Sequence, residues 1–210
     1  MSQSSFDNDL LKEQILGSSL DEFYQKYFEH SSFKTTRITD KNLQNKGVDL
    51  ILENDFRKFF VDEKAQLDYL NGSLPTFAFE LSYLKYDVWH QGWLFDENKI
   101  TTVYYLITDI MVNDVTDISK GVLSFKITGI YRDKLLRLLE DAGLTRARLS
   151  EIEKEVRASN KNGKIEIDEL NSLSQGNVYF TSGKNEKPIN LVLKIKYLTD
   201  NNVGSTLILR

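Results

Sequence analysis

The sequence contains no cysteine, which excludes disulfide bonds, thiolate metal sites and a thiol nucleophile. With only two histidines, it also lacks the ligands of a typical zinc site. No apolar run approaches the roughly 18 residues that a membrane-spanning helix requires. The polar, acidic start of the chain lacks the basic and apolar stretches of a secretory signal. These absences predict a cytoplasmic protein with no membrane partner.

The composition is that of an ordinary globular protein. Hydrophobic residues make up 40% of the 210 residues and aromatic residues 11%, which is enough to form a buried core. The net charge of −4 argues against a non-enzymatic nucleic-acid binder, because such proteins are typically basic. A nuclease remains possible, since its acidic site is neutralised by metal ions.

The order of apolar patterns predicts an α+β fold. Residues 10–16 and 20–28 have helical spacing, with Ser18 or Ser19 as the N-cap of the second helix. Between residues 33 and 108, short β-branched and aromatic segments predict a mixed or antiparallel sheet, with a hairpin through residues 85–87. Strand 122–129 precedes helices 131–143 and 146–159, and the predicted strands 176–182, 189–198 and 205–210 end the chain.

Four polar residues form the strongest candidate site. If residues 59–67 form a strand, Asp62, Lys64 and Gln66 project from one face, and Asp49 lies on the preceding strand. Such a polar row is costly beside aromatic neighbours unless it meets water, itself or a metal. Two carboxylates suit Mg²⁺, with Mn²⁺ as an alternative, and such an ion supports phosphodiester hydrolysis. We expect Lys64 to orient the nucleophile, because neighbouring carboxylates favour its charged form.

Asp49, followed thirteen residues later by Asp62-x-Lys64, resembles the motif of the PD-(D/E)XK nuclease superfamily, the restriction-endonuclease-like fold. The resemblance implies an αβββαβ core, a central mixed sheet flanked by helices, over about residues 10–140. It also implies Mg²⁺ dependence and a nucleic-acid substrate, DNA being expected before RNA. We therefore expect a core over residues 1–143 and a helix-and-strand extension over residues 144–210, packed together as one unit.

The same resemblance assigns roles to the candidate residues. It implies that Asp49 and Asp62 are metal ligands, that Lys64 is the catalytic lysine and that Gln66 supports it. An acidic residue on the first helix often completes such sites. Glu22 or Glu29 would fill that place here, and no motif selects between them.

Other interpretations of these residues and of the function remain open. The polar row of Asp62, Lys64 and Gln66 is equally typical of the solvated face of a strand. Trp89, Gln91 and Trp93 would share a strand face with His90 opposite, either as a base-stacking surface or as core anchors around Gly92. The alternative function is a non-catalytic binding or assembly protein with a nuclease-like fold, which has a protein partner or forms a homo-oligomer. A small-molecule binding domain is a third possibility.

Overall fold

Short patterned segments form an α+β fold in the computed structural model, which describes residues 3–159 and 161–209, with side chains for residues 11–159 and 161–207. The helices are α1 (Gln3–Phe28), α2 (Lys41–Asn45), α3 (Arg132–Asp141), α4 (Arg146–Ser159) and α5 (Ile195–Asp200). The strands are β1 (Lys34–Arg37), β2 (Leu50–Glu53), β3 (Lys58–Ala65), β4 (Thr76–Lys85), β5 (Val88–Gln91), β6 (Val103–Val112), β7 (Val122–Tyr131), β8 (Gly163–Ile165), β9 (Gly176–Phe180), β10 (Ile189–Lys194) and β11 (Gly204–Leu209). Among these described residues, none of the helices has the length and apolar content of a membrane-spanning segment.

Helix α1 is continuous, so the prediction of two helices capped at Ser18 or Ser19 is wrong. The two hydroxyl groups lie inside the helix and donate to the carbonyls of Gln14 and Ile15, four residues earlier. The apolar stripe explains the continuity, because Leu16 and Leu20 are both buried in the core. Packing of this stripe outweighs the weak helix propensity of the Gly-Ser-Ser segment.

The first sheet has six strands in the order β1-β2-β3-β6-β7-β11. Strands β1, β2 and β3 form an antiparallel meander, in which Leu50 lies opposite Val61. Strand β3 then pairs in parallel with β6. The αβββαβ order implies a helix between these two strands, but the connection contains a 3₁₀ turn and the hairpin β4–β5 instead.

Helix α1 packs on this sheet through Leu16, Leu20, Phe23 and Tyr24, which share a core with β2, β3, β6 and β7. The rings of Phe23 and Phe125 meet edge to face at 5.5 Å. This core fixes the position of α1 relative to β3, the strand that carries most of the candidate site.

The second sheet has five strands in the order β5-β4-β10-β9-β8. The predicted hairpin is confirmed, because Lys85 pairs with Val88 and the two residues between them have φ values of 52° and 58°. Gly143, with φ of 83°, follows α3 as the sequence predicts. The predicted strand 189–198 is only half right, because β10 ends at Lys194 and α5 begins at Ile195.

The chain divides into two units that do not follow the expected boundary after residue 143. The first unit combines the chain up to Leu74 with Ile100–Arg132 and the residues from Ser205 onward. The second consists of Pro75–Lys99 and Asp133–Gly204. The physical reason is strand pairing, since β4 from the middle of the chain pairs with β10 near its end.

Candidate active site

Asp49, Asp62 and Lys64, here called the Asp62 cluster, meet where β2 and β3 run side by side. The Asp49 N–H donates to the Val61 carbonyl at 2.8 Å, which places Asp49 beside Asp62. The two carboxyl groups share a hydrogen bond. The Lys64 ammonium lies 2.7 Å from Asp62 Oδ1. Asp62 therefore contacts two of the other three predicted site residues, Asp49 and Lys64.

The environment of Asp62 opposes ionisation. Only 2% of the residue is exposed, and this burial, together with the negative charge and hydrogen bond of Asp49, raises the pKa of Asp62 to about 6. Lys64 acts in the opposite direction but does not cancel the effect of burial. A buried carboxyl group with a raised pKa next to a second carboxyl group is typical of a functional site.

Asp21, Tyr24, Arg37 and Glu63, here called the Glu63 cluster, adjoin the Asp62 cluster. The Tyr24 hydroxyl donates to Glu63 Oε1 at 2.6 Å, and Arg37 bridges Glu63 to Asp21, reaching Asp21 Oδ1 at 2.6 Å. Burial alone would lower the pKa of Arg37, yet its hydrogen bonds to Glu63 and Asp21 raise it above the ordinary value. These contacts join α1, β1 and β3.

The two clusters are coupled through the backbone. The N–H of Glu63 donates to Asp49 Oδ2 at 2.9 Å, so the residue held by Arg37 also orients the carboxyl group of Asp49. Residues from both clusters, including Arg37, Asp49 and Lys64, line a cleft of about 870 Å³ within the first unit. The remaining lining comes mainly from α1 and from the segment between β1 and β2. The cleft gives a ligand access to the edge of the Asp62 cluster.

Gln66 lies just beyond the end of β3, and Glu22 and Glu29 lie near the end of the first helix. Strand β3 ends at Ala65, so its alternation does not extend to Gln66, whose N–H donates to the Ile107 carbonyl at the start of a 3₁₀ turn. Glu22, on α1, and Glu29, in the turn after α1, are both exposed, and neither lines the cleft. The helical acid that lines the cleft and contacts Arg37 is Asp21.

Sequence reasoning did not select Arg37, Asp21 or the role of Glu63. One signal was present, because Glu63 alternates with Val61 and Ala65 on the apolar face of β3. A carboxylate at such a position needs a cation and hydrogen-bond donors. Its partners come from residues 26 and 39 positions away in sequence, which a strand pattern does not specify.

The residues present meet part of the requirement for Mg²⁺. Asp49 and Asp62 offer hard oxygen ligands, and a dication would offset the negative charge that raises the pKa of Asp62. Mg²⁺ often binds one or two carboxylates and keeps several waters. Across the part of the chain that the structure describes, no group of three or more His, Asp or Glu residues is arranged to hold a metal ion.

The tryptophan segment lies in the second unit and differs from the prediction. Strand β5 ends at Gln91, so Trp89 and Trp93 do not share one strand. Trp93 packs against Phe79 at 5.5 Å, whereas Trp89 is 38% exposed and carries the Arg157 guanidinium 4.6 Å above its ring. The backbone passes close to Gly92, since a Cβ there would lie 2.3 Å from the Glu80 carbonyl oxygen.

The chain was compared with protein-family models, curated proteins and solved structures, and none of the three comparisons gave a match.

Proposed function

We propose that the chain is a Mg²⁺-dependent phosphodiester hydrolase that acts on DNA. The observation that carries the proposal is the buried Asp62 carboxyl group, which contacts Asp49 on one side and Lys64 on the other beside an open cleft. A purely structural ion pair does not need a second carboxylate next to a buried one.

In this proposal Asp49 and Asp62 would hold the metal ion, with Mn²⁺ as an alternative to Mg²⁺. A bound dication supplies Lewis-acid chemistry and offsets negative charge that develops on the phosphate. The hydrogen bond from the Glu63 N–H to Asp49 Oδ2 fixes the direction in which that carboxylate points.

Lys64 has the task of charge balance and orientation. Its ammonium already lies 2.7 Å from Asp62 and lines the cleft, so it can reach both the metal ligands and a phosphate oxygen. Gln66, just beyond the strand, has the supporting role in this proposal.

A restriction-endonuclease-like core is part of the same proposal. Helix α1, the meander β1–β3 and the parallel strand β6 support it, as does the location of the three charged residues on β3 and next to β2. The hairpin β4–β5 in place of a helix after β3 counts against it.

The test is a cleavage assay on supercoiled plasmid and on labelled single-stranded DNA and RNA, with Mg²⁺ or Mn²⁺. We expect metal-dependent cleavage of DNA by the wild type. Asp62→Asn and Lys64→Met should each reduce the rate by about 10²–10³-fold. Lys58→Met is the matched control, because Lys58 lies on the same strand in an ion pair that is half exposed.

Cleavage that all three variants retain would reject the site, since the activity would then come from elsewhere. Failure of folded wild-type protein to cleave any of the substrates would reject the hydrolase. Circular dichroism and thermal unfolding of each variant separate these results from a loss of fold.

The alternative is a non-catalytic binding or assembly protein, and the edge strand β5 favours it. All four residues of β5 are exposed, and Tyr86 and Val88 in this hairpin are 88% and 58% exposed. Light scattering over a concentration series would detect self-association of wild type, and Val88→Lys should abolish it if β5 forms the contact.

A further inference from the structure

We propose that a small pocket between the hairpin β4–β5 and α4, within the second unit, binds a monocarboxylate that carries a short apolar body. The pocket has a volume of about 240 Å³, and none of the residues of the Asp62 and Glu63 clusters lines it. Hydrogen-bond donors exceed acceptors in its polar wall, and the rest of its wall is apolar. These two features carry the inference, which does not depend on the hydrolase.

One face of α4 supplies much of the polar wall. Arg146, Ser150, Glu153 and Arg157 recur at intervals of three or four residues and line the pocket together. Two guanidinium groups therefore face the pocket, with one carboxylate between them along the helix. This charge balance favours a ligand with a single negative charge over a polyanion or a cation.

Arg157 keeps donors for a ligand although it has partners in the protein. Its Nη1 donates to Ser82 Oγ at 3.1 Å and reaches Glu153 Oε2 only at 3.4 Å, which is long for a charged pair. Among the residues that the structure describes, none accepts a hydrogen bond from Arg157 Nη2 or Nε. The guanidinium also lies 4.6 Å above the Trp89 ring, a contact that positions it through its charge.

The second guanidinium, that of Arg146, is about half exposed and lies at the rim of the pocket. Its Nη2 donates to Gln91 Oε1 at 2.8 Å. Its Nη1 pairs with Glu97, whose side chain is 80% exposed and does not line the pocket. Solvent screens such an exposed pair, so Arg146 still contributes positive potential to the pocket.

Ser82 supplies the buried donor of the site. The residue is only 5% exposed, and its oxygen accepts from Arg157 Nη1. Within the described part of the chain, the hydroxyl proton of Ser82 has no acceptor, and a buried donor left in this state is unfavourable. A carboxylate would accept from Ser82 Oγ and from Arg157 Nη2 together, which satisfies both groups.

The apolar wall limits the size of the ligand. Leu81 and Leu149 are both buried and line the pocket together with Phe95. Pockets for drug-sized ligands have volumes of about 300–1,000 Å³, so this smaller pocket suits a smaller molecule. An aryl or branched short-chain carboxylic acid has the required charge and apolar body.

Isothermal titration calorimetry of the full chain with phenylacetate tests the inference, and we expect a Kd below about 1 mM. Phenylacetamide has the same shape without the charge and should bind at least about tenfold more weakly. Phenethylamine, which carries a positive charge, should bind more weakly still. Equal binding of phenylacetate and phenylacetamide overturns recognition of an anion. Failure of folded wild type to bind phenylacetate overturns the site.

Substitutions locate the site within the second unit. Ser82→Ala removes the buried donor and Arg157→Gln removes the charge, and each should weaken phenylacetate binding by about tenfold or more. Lys154→Gln is the matched control for Arg157→Gln, because it removes the same charge from an exposed position of α4 that does not line the pocket. Similar losses in these two variants overturn the position of the site.

Glu153→Gln should have the opposite effect. It removes the negative charge beside Arg157, so phenylacetate should bind about threefold more tightly or better. A Glu153 that only supports the structure would give unchanged or weaker binding, and either result overturns the proposed arrangement. Circular dichroism and thermal unfolding confirm that each variant is folded, and the comparison of the three ligands on wild type does not depend on any variant.

Discussion

Asp62 and Glu63 are consecutive residues of β3, yet the clusters around them are organised in opposite ways. Glu63 is surrounded by groups that stabilise its charge, namely the Arg37 guanidinium and the Tyr24 hydroxyl. Asp62 is more deeply buried and meets a second carboxyl group, so its pKa rises to about 6. The Glu63 cluster therefore contributes to stability, whereas ionised Asp62 costs stability even with Lys64 beside it, because burial outweighs that ion pair.

This difference indicates a division of labour along one strand. The carboxyl groups of Asp49 and Asp62 repel each other when both are ionised, so they keep their positions only if the surrounding structure holds them. The Glu63 cluster supplies that support, because it ties β3 to α1 and because the Glu63 N–H holds the Asp49 carboxyl group. Breaking the Glu63 cluster should destabilise the protein, and removing the negative charge of Asp62 should stabilise it.

The largest effect is expected from Arg37→Met. The substitution leaves Glu63, whose side chain is 10% exposed, without its cation, and we expect a loss of about 3–5 kcal/mol in the free energy of unfolding. Urea denaturation followed by circular dichroism measures it.

Lys58→Met is the control for this change. It removes an ion pair of 2.9 Å to Glu53, but both side chains are about half exposed, and we expect a loss below about 1 kcal/mol. Similar losses for the two variants would mean that the Glu63 cluster is no more than a surface ion pair.

Asp62→Asn should have the opposite sign. The pKa of Asp62 rises from its ordinary value of 3.8 to about 6 in the folded protein, so the folded state holds its proton more tightly. Ionisation of Asp62 therefore destabilises the folded state increasingly as pH rises from about 4 to about 6, and this cost reaches about 3 kcal/mol above that range. We expect Asp62→Asn to be more stable than wild type at pH 8, with the difference vanishing near pH 4.

Denaturation of both proteins over pH 4 to 8 measures this difference, which isolates Asp62 from the other titrating groups. Asp114→Asn serves as the contrast. Asp114 is exposed, and its hydrogen bonds to Lys120 and Thr116 hold its pKa well below the ordinary value. Replacing it should give a change of opposite sign. If Asp62→Asn were less stable than wild type at pH 8, the ion pair with Lys64 would outweigh the cost of burying the Asp62 charge.

The two clusters also differ in how well their contacts can be predicted from the sequence. Antiparallel pairing of β2 and β3 is predictable from alternating apolar residues and the short connection, so the meeting of Asp49 with Asp62 and Lys64 could be anticipated. The Glu63 cluster could not be, because it depends on where α1 packs across the sheet. Helix packing of this kind is set by the shape of the core and not by any local pattern.

The misjudged elements have similar causes. Gly17 and its two following serines indicate a helix break by propensity, but burial of Leu16 and Leu20 overrides it. After Lys194, the apolar residues Ile195 and Tyr197 continue the period of two that defines β10. They nevertheless lie in the short helix α5. Segments this short fit both periods, and pairing with neighbouring strands decides between them.

Tyr24→Phe is a milder perturbation of the Glu63 cluster. It removes one hydrogen bond of 2.6 Å to Glu63 while Arg37 remains, and we expect a loss of about 1.5 kcal/mol. Tyr27→Phe is the control on the same helix, because Tyr27 is 46% exposed and should tolerate the change. Equal losses for the two variants would mean that the ring, and not the hydroxyl group, carries the contribution of Tyr24.

The smallest effect is expected from metal binding, and it separates the two clusters most directly. Mg²⁺ or Mn²⁺ at ten times its Kd should stabilise wild type by about 1.4 kcal/mol, because only the folded Asp62 cluster gathers the ion. For a chain of this size the thermal midpoint should rise by roughly 3–5 °C.

Asp49→Asn and Asp62→Asn should abolish this rise, while replacement of Asp114, an exposed acid paired with Lys120, by Asn should leave it intact. Tyr24→Phe should also retain it, since that variant lowers stability without altering the carboxyl pair. A rise that persists in Asp62→Asn would place the metal elsewhere, and the raised pKa of Asp62 would then belong to a buried ion pair.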